Sequence, residues 1–415
     1  MFPITCPRCG NSLPSENILT DRKTGNARGR CQQCKIWIPI LLPSIRKKLV
    51  YLDQSFLSDA CLRADKSDFQ NEVRILSKLK ELKARQRIFV VVSDVHSRET
   101  SAIPDKYSGD RKKLWQFQND LADGSISVDW DEVFVAQWRR LLADQDNSNF
   151  FPATDIGLDN PHQFQFGMRI QRTNNWRLSL HRNDASPRDI VNETFRSIFE
   201  QQFENMPSCK DARDCLKYVR EFWHQDIRQW IDSWRQQRDI PLLMEQYVKE
   251  LEEGQNPVMP LWEAPTPFCR IVGEVAQGPD EESTLQRWLA LLGGGSDNLS
   301  AFVRIRTAFQ ATLLWKWQME KASITPKKFH TKFGQSCQND IDHISTFAPY
   351  VDALTTDKDM HNLCKNAVVT DELKRFSCKI FSKNNYDEFE TWLDELLAEP
   401  VTHNVRVQPT PAGEQ

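Results

Sequence analysis

Four cysteines near the start of the chain repeat one spacing, Cys6-Pro7-Arg8-Cys9 and Cys31-Gln32-Gln33-Cys34. A C-x2-C turn aims two sulfurs at one point, and two such turns joined by a loop surround a tetrahedral cation with soft thiolates. Gly10 follows the first pair, where a tight turn needs a residue tolerant of positive φ. The loop between the pairs is slightly longer than the usual ~15–20 residues, which lengthens a ribbon hairpin without harming ligation. Four thiolates leave no open coordination position. The pattern therefore predicts a structural Zn²⁺ held by Cys6, Cys9, Cys31 and Cys34, in a small ribbon over residues 1–45.

The chain of 415 residues carries 11 cysteines in all. An odd count, behind an N-terminus without a basic segment and long apolar run, argues against a disulfide framework and an export signal. Cytoplasmic residence is expected. Cys61, Cys209, Cys215, Cys269, Cys337, Cys364 and Cys378 lack metal spacing and read as buried thiols. No run approaches the ~18–20 apolar residues of a membrane span.

Charge is distributed unevenly. Residues 1–48 hold nine Lys and Arg against Glu16 and Asp21, in a chain whose net charge is −3. A cationic knob on an acidic body suits a phosphate backbone, with Arg28, Arg30 and Lys35 as contacts. The plainer alternative is a ribbon that packs on the body through Trp37, Ile38, Ile40 and Leu41, with its cations only solvated. Further on, Arg169, Arg172, Arg177, Arg182 and Arg188 flank Trp176 and His181, a composition suited to phosphate pairing and base stacking.

Beyond Pro43 short apolar runs alternate with helical patterns. Leu49–Leu52 ends at Asp53, and Ile88–Val92 ends at Ser93-Asp94 with Glu99 close behind. Asn339–Ser345 reads as the start of a helix running to Pro349. Asp352–Asp357 reads as a third strand, and Cys378–Ser382 as a fourth after a helix from Met360 to Arg375. Such runs predict buried parallel strands, whose ligands bind beyond the carboxyl ends. Asp53, Glu99, Asp340 and Asp357 then converge on one rim, where hard oxygen ligands suit Mg²⁺ or Mn²⁺. For each acid alone, a helix cap is the common explanation.

These segments resemble the PIN-like nucleases. Leu49-Val50-Tyr51-Leu52-Asp53 is similar to their first strand and aspartate, and Val92–Glu99 to the second strand with its glutamate. Asp340–Ile344 is similar to the third acid's helix, and Tyr350–Met360, with Thr356-Asp357-Lys358-Asp359, to the last strand and acid. The resemblance implies a metal-dependent endonuclease that hydrolyses phosphodiester bonds, RNA favoured over DNA. Catalytic Mg²⁺ or Mn²⁺ would be held by Asp53, Glu99, Asp340 and Asp357. Glu193, Glu274 or Asp94 could replace Glu99, and Asp342 could replace Asp340. The implied architecture is α/β: ribbon 1–45, PIN-like first part 46–103, mainly helical insertion 104–330, PIN-like second part 331–386, and a C-terminal helix with flexible tail 387–415. The implied partners are nucleic acid and a protein of a defence or RNA-turnover system, with no membrane. The alternative is a noncatalytic zinc-ribbon module binding nucleic acid or protein on the same scaffold.

In the middle of the chain, Trp223, Ile227, Trp230 and Trp234 share one helical face and read as core. Gly293-Gly294-Gly295 reads as a connector without the Lys-Ser/Thr of a phosphate loop. His96 reads as a hydrogen-bonded neighbour of the rim rather than a catalyst. His343 reads as facing a different side of its helix from Asp342.

Overall fold

The computed structural model describes residues 4–14, 18–20, 27–41, 46–143, 151–158, 206–253, 267–294, 298–320, 335–400 and 406–407. Arg169, Arg172, Arg177, Arg182 and the alternative acid Glu193 lie outside the described residues.

The N-terminal region is built from very short strands. β1 (Ile4–Thr5) and β2 (Ser12–Leu13) form an antiparallel pair. β3 (Ile18–Thr20), β4 (Ala27–Arg30) and β5 (Trp37–Leu41) form an antiparallel sheet. Each C-x2-C sequence occupies a turn, after β1 and after β4. The local core is small: Leu13, Ile18, Ala27, Ile38 and Ile40 close around Cys6 and Cys31. Trp37 does not join it. Its ring is 46% exposed, so the expectation that it packs the ribbon on the body does not hold.

The body begins with β6 (Lys48–Tyr51), α1 (Gln54–Leu62), α2 (Gln70–Ala84), β7 (Ile88–Val91) and α3 (Asp94–Ser101). Among the described residues that follow, the regular elements are helical until the chain returns to the sheet. They are α4 (Ser108–Leu121), α5 (Trp130–Leu142), α6 (Ala212–Glu252), α7 (Pro267–Ala276), α8 (Glu281–Gly293), α9 (Ala301–Glu320) and α10 (Gln335–Phe347). β8 (Ala353–Thr355), α11 (Lys358–Cys364), α12 (Ala367–Leu373), β9 (Lys379–Phe381) and α13 (Tyr386–Ala398) complete the body. One helix was expected from Met360 to Arg375. Two form instead, because the Asn366 side chain caps a fresh N-terminus by accepting from Val368 N at 3.1 Å.

The four body strands form one parallel sheet in the order β7-β6-β8-β9. Because side chains alternate along a strand, each strand feeds two cores. Val50, Leu52, Ile88 and Val90 meet α1, α2, α4 and α13. Leu49, Tyr51, Phe89 and Val91 meet the opposite helices, α5 and α10 among them. Both faces are thus covered, which accounts for apolar runs without polar alternation. From α5 onward the helices between β7 and β8 share that second core with the sheet and are not an appendage to it. At its centre, α9 buries Phe302, Ile305, Phe309 and Leu313, and the tryptophan stripe of α6 packs inward. Trp223 donates to Gln310 Oε1 at 2.9 Å, and Trp230 stacks on Phe268 at 4.0 Å.

Among the described residues no helix is long and apolar enough to cross a membrane. One part of the expected flexible tail is ordered differently. β10 (Arg406–Val407) returns to the N-terminal region and pairs antiparallel with β5, setting Val407 against Ile40. Pairing satisfies backbone groups that an open strand edge would leave to solvent.

Candidate metal centres

The two C-x2-C turns have matching geometry. Gly10 N donates to Cys6 O at 2.8 Å, and Lys35 N donates to Cys31 O at 2.9 Å. Gly10 and Lys35 both sit at positive φ, +73° and +61°. The second knuckle therefore puts a lysine where the first uses glycine. Cys6, Cys9, Cys31 and Cys34 form a group able to hold a metal ion such as zinc, their ligand atoms all within 4.8 Å of one another. The backbone N–H of Cys34 pulls the Cys31 thiol down to about 7, while its hydrogen bond with Cys9 pushes Cys34 up to about 12. A cation binding four thiolates must displace those protons. Cys61, Cys209, Cys215, Cys269, Cys337 and Cys364 are buried and Cys378 half-buried, as expected of inert thiols.

On the same region, Arg28 and Arg30 are exposed and flank Trp37 across the β4–β5 pair, with guanidinium carbons 5.0 and 6.0 Å from its ring centroid. Lys35 is exposed as well.

The second centre lies at the carboxyl rim of the parallel sheet. From β6 the chain turns to β7 on one side and to β8 on the other, leaving a crevice beyond the central strand. Asp53 stands there. Its backbone N donates to Thr355 Oγ1 at 2.7 Å, which ties the ends of β6 and β8 together. At their other ends Asp352 accepts from Lys48 Nζ at 2.7 Å and from Leu49 N at 2.8 Å. Asp352 is thus a register lock. Asp53 and Asp357 both cap helices, Asp53 accepting from Ser55 N at 3.1 Å and Asp357 from Met360 N at 2.6 Å. An ionised carboxylate offers about four lone-pair sites, so a cap leaves capacity for an ion.

Asp340 comes to this rim on α10. That helix starts at Gln335, a full turn earlier than the expected Asn339, so Asp340 lies inside it and not at its cap. Phe347 of the same helix stacks on Tyr51 at 4.4 Å and holds α10 against the sheet. Burial pushes the Asp340 carboxyl up to about 8, and the charges of Asp53, Asp357 and Glu99 add to the effect. Burial and Asp53 likewise push Glu99 up to about 7. Burial raises Asp53 too. The four acids named from the sequence therefore act on one another. Among the described residues none of them forms an ion pair with Lys, Arg or His.

The alternatives are engaged elsewhere. Asp342 forms a buried ion pair with Arg306 of α9, Asp94 faces Arg98 at 3.9 Å, and Glu274 faces Arg270 at 3.6 Å on its own helix.

The histidines divide by their partners. His96 Nδ1 accepts from Ser93 N at 2.9 Å, so its proton sits on Nε2 and is donated to Leu52 O at 2.7 Å. That ring joins the ends of β7 and β6 and is used up structurally. On sequence, His343 faces a different side of its helix from Asp342. It shares a face with Asp340, three residues earlier, and i,i+3 spacing was the available signal. Asp53, Asp340 and His343 each offer a ligand atom within 4.8 Å of the others. Burial drives His343 down to about 3, which keeps the imidazole neutral and its lone pair available.

No family model, curated protein or solved structure matches the chain. The geometry of the rim thus carries the functional reading. A cavity of about 220 Å³ opens beside it, lined by Arg98, Glu99, Asp129, Trp130, Asn339 and His343 among others. Arg98 donates to Asp129 at 2.7 Å across its wall.

Proposed function

We propose that the chain is a divalent-metal-dependent nuclease of PIN-like kind, hydrolysing phosphodiester bonds with RNA favoured over DNA. The observation that carries this reading is a set of four carboxylates, none ion-paired to a protein cation among the described residues: Asp53 and Asp340 have ligand atoms within 4.8 Å of each other, and Glu99 and Asp357 act on Asp340 through their charges. Ionising all four together is costly, and a bound cation would lower that cost. A divalent ion held there would supply Lewis acidity and lower the pKa of a water. Glu99, which lines the cavity, takes the proton of the attacking water. A new O–P bond forms, the bond to the 3′ oxygen breaks, and that oxygen takes a proton from solvent, giving a 5′-phosphate and a 3′-hydroxyl.

In this reading residues 104–330 are an insertion within the catalytic domain. The ribbon holds the nucleic acid through Arg28, Trp37 and Arg30, with Lys35 beside them, and Arg169–Arg188 adds cationic contacts. The setting is cytoplasmic, with a protein partner of a defence or RNA-turnover system.

The test uses zinc-loaded protein with labelled RNA, single-stranded DNA and duplex DNA, with and without added Mn²⁺ or Mg²⁺. Metal-dependent cutting that falls at least about 100-fold in both Asp53→Asn and Asp357→Asn is the expected result. Binding without cutting, equal in wild type and both variants, would replace the enzyme by a noncatalytic binding module.

A further inference from the structure

We propose that His343 is a metal ligand together with Asp53 and Asp340, and that the rim therefore takes a first-row transition-metal ion such as Mn²⁺ in preference to Mg²⁺. The inference deepens the nuclease reading by choosing its cation, but it rests on coordination geometry alone.

Three observations support it. The ligand atoms of Asp53, Asp340 and His343 lie within 4.8 Å of one another. Two atoms bound to one ion at ~2.1 Å stand ~3.0 Å apart when adjacent and ~4.2 Å apart when opposite, so a small closing movement completes the site. His343 is only 7% exposed, yet among the described residues its ring has no hydrogen-bond partner. The neighbouring rings do not supply it: Tyr51 and His96 stand 5.9 and 6.5 Å away by centroid, and both nitrogens of His96 are already bonded. Finally, the sequence Asp340-Ile341-Asp342-His343 puts a carboxylate and an imidazole three residues apart on one helix. Glu-x-x-His helices share a metal ion between two side chains by the same spacing.

An all-carboxylate rim would favour Mg²⁺, which prefers oxygen ligands and retains its waters. One imidazole changes the order. Nitrogen ligands bind first-row transition ions more tightly, and affinity rises from Mn²⁺ toward Cu²⁺. The cavity reaches His343 and Glu99.

The experiment is a Mn²⁺ titration of the full chain, with zinc already in the ribbon, read by electron paramagnetic resonance and competed with Mg²⁺. Pulsed measurements on the bound ion detect coupling to a ligand ¹⁴N. The expected result is one Mn²⁺ per chain with ¹⁴N coupling, displaced only by roughly 100-fold or more Mg²⁺. His343→Gln should lose the coupling and weaken Mn²⁺ at least about tenfold, with Mg²⁺ binding little changed. His343→Ala serves as a second variant, and circular dichroism with zinc content verifies folding of both. Bound Mn²⁺ without ¹⁴N coupling, an unchanged preference in the folded variants, or no binding at all overturns the proposal. No nucleic acid enters the assay. A chain that binds Mn²⁺ through His343 but cuts nothing therefore keeps this inference and sinks the nuclease reading.

Discussion

The two candidate metal centres are built on opposite plans. The four cysteines lie within Cys6–Cys34, and each pair is shaped by hydrogen bonds inside its own turn. The candidate rim ligands come from the N-cap of α1 and from α10, and Asp53 is anchored by a residue 302 positions away. Cys6 and Cys31 are also part of the ribbon's small core, whereas Asp53 and Asp340 border two large cores that exist without them. In the ribbon an ion would help to make the fold. At the rim the fold stands first, and an ion would replace the protons that burial and neighbouring charges favour on Asp340 and Glu99.

The largest effect expected from this contrast is on Cys31→Ser. Structural zinc contributes roughly 10–16 kcal/mol of apparent binding energy in small zinc domains, far more than a core of this size can supply. Zinc content should fall to near zero and proteolysis should cut within residues 1–45, while the helical signal of the body persists. Asp53→Asn should retain both zinc and resistance. A Cys31→Ser ribbon that stays intact without metal would remove the distinction.

A smaller effect is expected on the pH dependence of stability without added divalent metal. Asp340 and Glu99 are raised to about 8 and about 7, so the folded state holds their protons more tightly than the unfolded chain does. Stability is then greatest below the ordinary carboxylate range and falls as pH rises from ~4 toward ~8. Asp340→Asn should flatten that fall and gain on the order of 1–3 kcal/mol at pH 8, with no gain near pH 4. Thermal melts of both proteins across this range measure it. Parallel slopes would mean that neither burial nor the neighbouring acids raise Asp340.

Trp37→Ala tests whether the ribbon does more than hold an ion. One lost base stack costs about 1–3 kcal/mol of RNA affinity, and Arg28→Ala should lower the salt slope of binding by about 1. Zinc content should be unchanged in both. An affinity equal to wild type for both variants would leave the ribbon without a role in contact. The smallest effect belongs to Lys35, a non-glycine residue at positive φ. Lys35→Gly should stabilise the ribbon by about 0.5–1 kcal/mol, seen as slower zinc loss to a chelator. Faster loss would show that the two knuckles are not equivalent.

The same contrast explains what could be read from the sequence. C-x2-C spacing is local chemistry, so the cysteine group was legible, and so were the β6 and β7 runs that end at Asp53 and Asp94. The partners of those strands are non-local. Periodicity identified the helices of the middle region and the buried face of Trp223, but not that these helices cover the second face of the sheet. The polar run Ser336-Cys337-Gln338-Asn339 resembles a cap, so α10 was expected to begin late. The i,i+3 spacing of Asp340 and His343 is readable from either start, whereas the turn of Asp342 toward Arg306 of α9 is non-local. Arg406 and Val407 are too few to carry a period, and only their pairing with β5 distinguishes them from a loose end.

The tie between Asp53 and Thr355 also has a meaning for how the molecule is made. A ribosome adds roughly 5–20 residues per second, so about 15–60 s separate the emergence of β6 from that of its second neighbour. The cysteine knuckles can close near the beginning of that interval. Asp340, His343 and Asp357 do not yet exist. Whatever the rim does, a nascent chain cannot do it, and no fragment ending before residue 357 can bring all four carboxylates together.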